Sequence, residues 1–278
     1  MKAFERVLKV QINKVGEDET LEIETLRVDF SISKNDKSST NKSMVSIYNL
    51  SQTSINFLSQ DEMELKLFVG YETQDDTFMI LKGDINSLEV ERNGLDTIAK
   101  IDVQEGKTDL KESFLNKSYA KGTTKKKIIE DAIRALPLAN LLSESQIDAI
   151  LNSIDNLREK LKNGTTFSKK TKDVLDDMLD LVGVSWSIQN NEVVLLGKKD
   201  VLEDEIYYIS PESGLIGSPV KKESGYNIET LLLPEIKVGG RVEIESKDVE
   251  GIFKIKSFTA AGSLFTNDWS SKIELLEI

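Results

Sequence analysis

Apolar and polar residues alternate with a period of two through most of the first hundred positions, the signature of half-buried strands. Phe4, Arg6, Leu8, Val10 and Ile12 share one face of a first segment, and Gly16-Glu17-Asp18 marks the turn after it. Alternation resumes through Leu21, Ile23, Leu26, Val28, Phe30 and Ile32, with a slip between Ile23 and Leu26 that calls for two strands or a bulge. Lys34–Lys42 is wholly polar and reads as an exposed, mobile loop. Ser43–Ser51, S-M-V-S-I-Y-N-L-S, is a strand that stops where Asn49 and Ser51 offer side-chain oxygens to nearby backbone N–H groups. Ser51 can cap a short helix with Ile55, Phe57 and Leu58 turned inward. Tyr48 is expected to be buried with its hydroxyl bonded, so that Tyr48→Ala would cost about 3–5 kcal/mol. Strands follow at Glu64–Tyr71 and Thr77–Glu91, with Gly83-Asp84 as a bulge or bend. Asn93-Gly94 before Asp96–Gln104 is the strongest hairpin signal in the chain.

After Gly106 the period changes to that of a helix. Gly122-Thr123-Thr124 precedes Ile128, Ile129, Ala132, Ile133 and Leu136, which share one side of a helix ended by Pro137. Ser143-Glu144-Ser145-Gln146 is a capping box opening a second helix toward Asn163-Gly164. A third runs from Thr171 to Val182, and Val184–Ile188 with Glu192–Leu196 form a hairpin across Asn190-Asn191. Ser210–Pro219 is a turn-dense linker, and strand patterns return at Tyr226–Leu233, Arg241–Glu245, Gly251–Phe258 and Trp269–Ile278. The fold class is α+β, mainly β. Residues 1–106 and 198–278 read as β-barrel-like domains and residues 107–197 as an inserted α+β domain.

Composition narrows the chemistry. The 278 residues include no cysteine and no histidine, which removes disulfides, thiolate nucleophiles, Cys/His zinc sites and imidazole bases. No stretch is long and apolar enough to span a membrane, and the N-terminus lacks the apolar core of a signal peptide. A net charge of −12 opposes specific nucleic-acid binding and anionic membranes. Lys107, Lys111, Lys117, Lys121, Lys125, Lys126 and Lys127 form a basic run. Its acidic neighbours and the lack of interleaved aromatics favour a solvated helix face over phosphate contacts.

Carboxylate groups Asp75/Asp76, Asp176/Asp177/Asp180 and Glu203/Asp204/Glu205 are the candidates for glycosidase-type acid–base work. A chain with 48 acidic residues produces such groups by chance, so no catalytic, cofactor-binding or metal-binding residue is assigned, and no cofactor. Trp186 and Trp269 read as core or interface aromatics rather than a sugar platform.

The order of these segments resembles one family. A polar loop, a strand ending in Ile47-Tyr48-Asn49-Leu50-Ser51 and a short helix are similar to the first domain of contractile-tail phage baseplate hub proteins, relatives of the late-control protein D and VgrG-like hubs. Leu215-Ile216-Gly217-Ser218-Pro219, the strand from Gly225 to Leu233-Pro234, Gly239/Gly240 before Val242, and Trp269 before the last strand resemble the C-terminal barrel of that family. The resemblance implies a structural protein with no reaction, carried in the virion baseplate and assembled in the host cytoplasm. It implies a homotrimer whose two barrels per chain mimic the six-fold tail tube. Its partners would be the spike, the tube and other baseplate proteins, with DNA passing through the channel. The alternatives are a tail-associated cell-wall hydrolase working through paired carboxylates, or a carbohydrate-binding module.

Overall fold

The computed structural model describes residues 6–38, 41–72, 77–137, 147–148, 151–152, 159–197, 201 and 206–278. In chain order the elements begin with β1 (Arg6–Lys14), β2 (Thr20–Ile23), β3 (Val28–Asn35), β4 (Lys42–Tyr48), α1 (Gln52–Leu58), β5 (Met63–Tyr71), β6 (Thr77–Asn93) and β7 (Asp96–Gln104). Then come α2 (Lys107–Glu112), β8 (Phe114–Tyr119), α3 (Lys125–Arg134), β9 (Thr165–Lys170), α4 (Thr171–Asp180), β10 (Val184–Gln189) and β11 (Glu192–Gly197). The chain ends with β12 (Ile206–Ile209), β13 (Leu215–Lys222), β14 (Gly225–Leu231), β15 (Arg241–Glu245), β16 (Glu250–Ser263) and β17 (Trp269–Glu277). The fold is α+β and mainly β.

Two compact units result: Met1–Asn35 with Asn41–Glu105 and Val201–Ile278, and Asp36–Thr40 with Gly106–Asp200. In the first, 13 strands form one sheet in the order β13-β14-β17-β16-β3-β4-β7-β6-β5-β1-β2, with β12 and β15 branching from β16. The branch follows from the length of β16. Its early residues pair with β15 (Lys254 opposite Arg241) and its late residues with β3 (Ser257 opposite Asn35). β17 runs along its other side, with a register slip between Ile255 and Ser257. The strands from the two ends of the chain are thus joined through β3 and β16.

Inward residues from both ends, among them Leu8, Val10, Ile12, Val45, Ile47, Ile255 and Phe258, pack into one hydrophobic cluster. Trp269 lies within it, edge-on to Phe30 at 5.9 Å and to Tyr71 at 6.3 Å between centroids. The Arg6 guanidinium lies 5.3 Å from the indole centroid and donates to the carbonyls of Ser263 (3.1 Å) and Thr266 (2.8 Å). The Tyr71 hydroxyl donates to the Leu232 carbonyl at 2.9 Å.

Several expectations change on contact with the structure. Ser43, Val45 and Ile47 face the core, so Tyr48 points the other way and is half-buried. Its hydroxyl does bond, donating to Asp29 Oδ2 at 3.0 Å, and the Arg27 guanidinium covers its ring at 4.2 Å. Tyr48→Ala should therefore cost about 1–2 kcal/mol, less than a core aromatic. Urea unfolding followed by Trp269 fluorescence, in a Trp186→Phe background, measures it; a loss above the revised range would mean the ring is more enclosed than its exposure says.

The stop signal after Tyr48 behaves as read. Asn49 adopts a left-handed φ of 59°, which Asn tolerates, and its side chain accepts from Thr97 N–H at 3.0 Å. Ser51 Oγ accepts from Ser54 N–H at 3.1 Å, capping α1. The loop at Lys34–Lys42 is not wholly exposed, because Lys34 and Asn41 are buried. Gly83 marks a close approach rather than a bulge: a Cβ there would lie 2.9 Å from the Gln104 carbonyl oxygen. The slips in β6 fall on either side of it, at Ile80 in the ladder with β5 and between Ile85 and Ser87 in the ladder with β7. The second half of the supposed linker, from Leu215, is the strand β13, whose ladder with β14 breaks between Ile216 and Val220.

In the second unit, α3 and α4 bury Ile128, Ile129, Ile133, Val174, Leu175 and Leu179 in one cluster with Trp186 and Ile188 of the β10–β11 hairpin. Thr124 caps α3 through Lys127 N–H. The turn of the hairpin has positive φ at both Asn190 and Asn191, which matches the twist of the flanking strands. β8 and β9 form a separate ribbon that the apolar pattern did not predict. The capping box at Ser143 and most of its helix fall outside the described residues.

Candidate functional site

Of the three carboxylate groups, only Asp176/Asp177/Asp180 lies among the described residues. Asp75/Asp76 and Glu203/Asp204/Glu205 fall outside the described residues. Asp176 and Asp177 are successive helix positions and so diverge by about 100°, while Asp180, one turn after Asp176, is exposed at the end of the helix. Asp177 pairs with Lys169. Asp176 accepts from Trp186 Nε1 at 2.7 Å and from Lys172 Nζ at 2.7 Å. This side chain, read as a solvated helix position, instead ties α4 to β10. Both tryptophans are buried in cores, which removes the sugar-platform reading. Among the described residues no cluster of three or more acidic side chains is placed to hold a metal, and no helix is long and apolar enough to cross a membrane.

Burial alone would raise the Asp176 carboxyl, but Lys172, Ser38 and Trp186 outweigh it and hold the group below its ordinary 3.8. Asp131 behaves likewise: burial raises it, and Lys117, Lys127 and Tyr119 bring it down. A carboxylate lowered in the folded state adds stability above its unfolded pKa and loses it as pH falls through the folded value. The second unit should thus lose stability below about pH 4, and Asp176→Asn should flatten part of that slope. Thermal melts followed by Trp186 near-ultraviolet dichroism between neutral and acid pH would show it. An unchanged slope in Asp176→Asn would assign the acid sensitivity elsewhere.

The lysine run is largely met by its own neighbours. Lys117 Nζ lies 2.7 Å from Asp131, Lys125 Nζ 2.5 Å from Glu159, and Lys127 Nζ 3.1 Å from Asp131. Lys126 Nζ donates to Asn152 Oδ1 at 2.8 Å. These pairings favour the solvated face over phosphate binding, since a phosphate would have to displace them.

The distinctive surface is the outer face of the large sheet. One row crosses it through Ser270, Ala261, Ser31, Met44, Asp102 and Ser87, on β17, β16, β3, β4, β7 and β6. A second reads Glu229, Lys272, Thr259 and Ser33. A third reads Asp29, Ser46, Lys100 and Glu89. Apart from Met44, and Ile216 of β13 beside Glu229 at the end of the second row, these rows are made of small and polar side chains, and they run without interruption over strands from both ends of the chain. Their charged positions are four carboxylates (Asp102, Glu229, Asp29, Glu89) and two lysines (Lys272, Lys100), an acidic excess. The sequence carries this face in the opposite phase of each strand, as Ser31, Ser33 and Ser46 between the apolar positions; attention to the apolar phase alone passes over it.

A second polar feature lies where the chain leaves this unit. Lys34 Nζ is 2.9 Å from Glu105 Oε1, both buried. Asn41 Nδ2 donates to Glu105 Oε2 at 2.8 Å, while Asn41 Oδ1 accepts from Asn35 N–H at 3.2 Å and Asn35 Nδ2 at 3.0 Å. The clasp holds together the ends of β3, β4 and β7, from which the chain passes into residues 36–40 and 106–200.

Comparison with known proteins bears on what such a fold does. Similar solved structures include the 43 kDa tail protein of prophage MuSo2 from Shewanella oneidensis, with 7% identity and a TM-score of 0.62 over 97% of this chain and 96% of that one. A tail protein from Neisseria meningitidis MC58 is 11% identical, with a TM-score of 0.58 over 97% and 96% of the two chains. The E. coli c3393 protein, a type VI secretion component described as structurally similar to the T4 tail proteins gp27 and gp5, is 9% identical, with a TM-score of 0.61 over 96% of this chain and 76% of that one. At such identities the likeness is one of fold. No curated protein matches in sequence. A family model described as baseplate hub gp41 matches residues 7–249, most of the chain. This chain therefore belongs to the baseplate hub gp41 family of phage tail proteins.

Proposed function

We propose that this chain is the structural hub of a contractile tail. Three copies form a ring that joins the tail tube to the central spike, and the polar outer face of the sheet lines its channel. The observation that carries the reading is that face: a continuous sheet surface of mostly small and polar residues, with more carboxylates than lysines in the three rows named above, inside a baseplate hub fold. A channel wall that DNA must cross has to avoid phosphate. Each Lys or Arg contact would release counterions and hold the duplex tightly at low salt. Three copies would bring three times −12, a total of −36, to the ring.

In this reading the strands from the two ends of the chain act as two barrel-like lobes, so that three chains present six lobes to a six-fold tube. Pairing through β3 and β16 fixes the two lobes of one chain to each other. The protein carries out no reaction, is assembled in the host cytoplasm and travels in the virion.

The test is a reconstituted tail tip, its copy number read by native mass and its duplex binding read at low salt. Three copies with no retained DNA are expected, and Ser31→Lys/Ala261→Lys should convert the ring into one that retains it. Another copy number, or tight binding by the unmodified ring, would sink the proposal.

A further inference from the structure

Among the described residues the main path of the large sheet ends at β2 on one side and at β13 on the other, and the branch ends at β12. An open edge offers unpaired N–H and C=O groups to another strand; in β13, Pro219 and the ladder break blunt the middle and leave Leu215–Ile216 and Val220–Lys222 to offer them. The β2 and β13 edges are opposite in charge. The segment that contains β2 carries Glu17, Asp18, Glu19, Glu22 and Glu24 with no Lys or Arg among positions 17–24. Lys14 offsets Glu17, and Lys9 bridges Glu22 and Glu24, which leaves an acidic surplus. The charged residues of β13 are Lys221 and Lys222, with Lys221 also reaching Glu277.

Each edge also carries a pair of incompletely buried apolar residues. β13 exposes Ile216 (43%) and Val220 (57%) on either side of the break in its ladder. Beside β2, an open groove of about 400 Å³ runs between that strand and α1, with Leu21 and Phe57 half-buried along it. Two β2 edges brought together would add carboxylate to carboxylate. Pairing β2 with β13 brings opposite signs together and sets Ile216 and Val220 beside Leu21 and Phe57, the two apolar residues of a groove otherwise lined by polar side chains.

Building on the ring reading above, we propose that neighbouring copies meet head to tail, β13 of one pairing with β2 of the next. Ile216 and Val220 then sit beside Leu21 and Phe57. Such a contact uses each edge once per copy and closes into a ring when the rotation between copies allows.

The chain has no cysteine, so Thr20→Cys/Val220→Cys places its only two thiols on the two edges. Reconstituted tail tips of this variant, treated with a short flexible bis-maleimide, should yield covalent trimers on a denaturing gel, while either single cysteine should leave monomers. Three copies by native mass without an interchain product would overturn the edge assignment and leave the hub reading standing. Dimers from Val220→Cys alone would also overturn it, because like edges would then be meeting. A covalent head-to-tail product closing at another number would keep the edge contact and remove the trimer. As a second measurement, Lys221→Glu/Lys222→Glu should weaken ring formation at least tenfold, and adding Glu22→Lys/Glu24→Lys should restore it; reversal without rescue would count against the pairing.

Discussion

Glu105→Ala is expected to destabilise the first unit by about 3–5 kcal/mol, because it removes the carboxylate that faces the buried Lys34 ammonium. Both side chains are almost completely enclosed, so solvent does little to screen the loss. The same substitution removes the hydrogen bond from Asn41 Nδ2 to Glu105 Oε2, a loss inside a buried cluster. Lys34→Met/Glu105→Leu should recover most of that stability, since apolar side chains of similar volume need no solvation. Urea unfolding of the Trp186→Phe chain, read from Trp269, separates these cases. A small loss for Glu105→Ala would show that water reaches the clasp.

Trp269→Ala should cost about 3–5 kcal/mol, in the range of large aromatic-to-Ala changes in a core. The ring is held edge-on by Phe30 and Tyr71 and covered by Arg6, so its removal opens a cavity bordered by strands from both ends of the chain. Gly262 shows how tightly the site is filled: a Cβ there would approach the Phe30 ring to 2.6 Å and the Trp269 ring to 2.7 Å. Gly262→Ala should therefore also destabilise, by overpacking. Denaturant unfolding followed by far-ultraviolet dichroism measures both variants. A midpoint for Trp269→Ala close to that of the parent would place the indole outside the core.

Much of this was legible in the residues. Alternation placed β1, β3, β4, β5 and β7, because one face of each is buried and a period of two follows from the pleat. The turns at Asn93-Gly94 and Asn190-Asn191 and the cap at Ser51 were legible because each depends on local chemistry. What sequence reading missed is non-local. Lys34 and Asn41 look like solvated loop residues until β7 brings Glu105 to them. Tyr48 looks like the end of an apolar run until the phase of β4 turns it outward. Leu215–Lys222, with a glycine and a proline in it, looks like a linker because its partner strand, and not its own propensity, keeps it extended.

The joining of β3 to β16 also fixes when the molecule can fold. Arg6 and the carbonyl it holds at Ser263 are 257 positions apart, and β3 has no neighbour on that side until β16 has been made. During synthesis β3 therefore waits as an unpaired edge while most of the chain is still to come. Loop-closure entropy has to be overcome before so distant a pairing rewards it, which makes folding slow for the size of the unit. The residue of risk is nascent-chain association. Raising the temperature of synthesis or truncating before Glu250 should send the first half of the chain toward aggregates rather than toward a stable half-sheet.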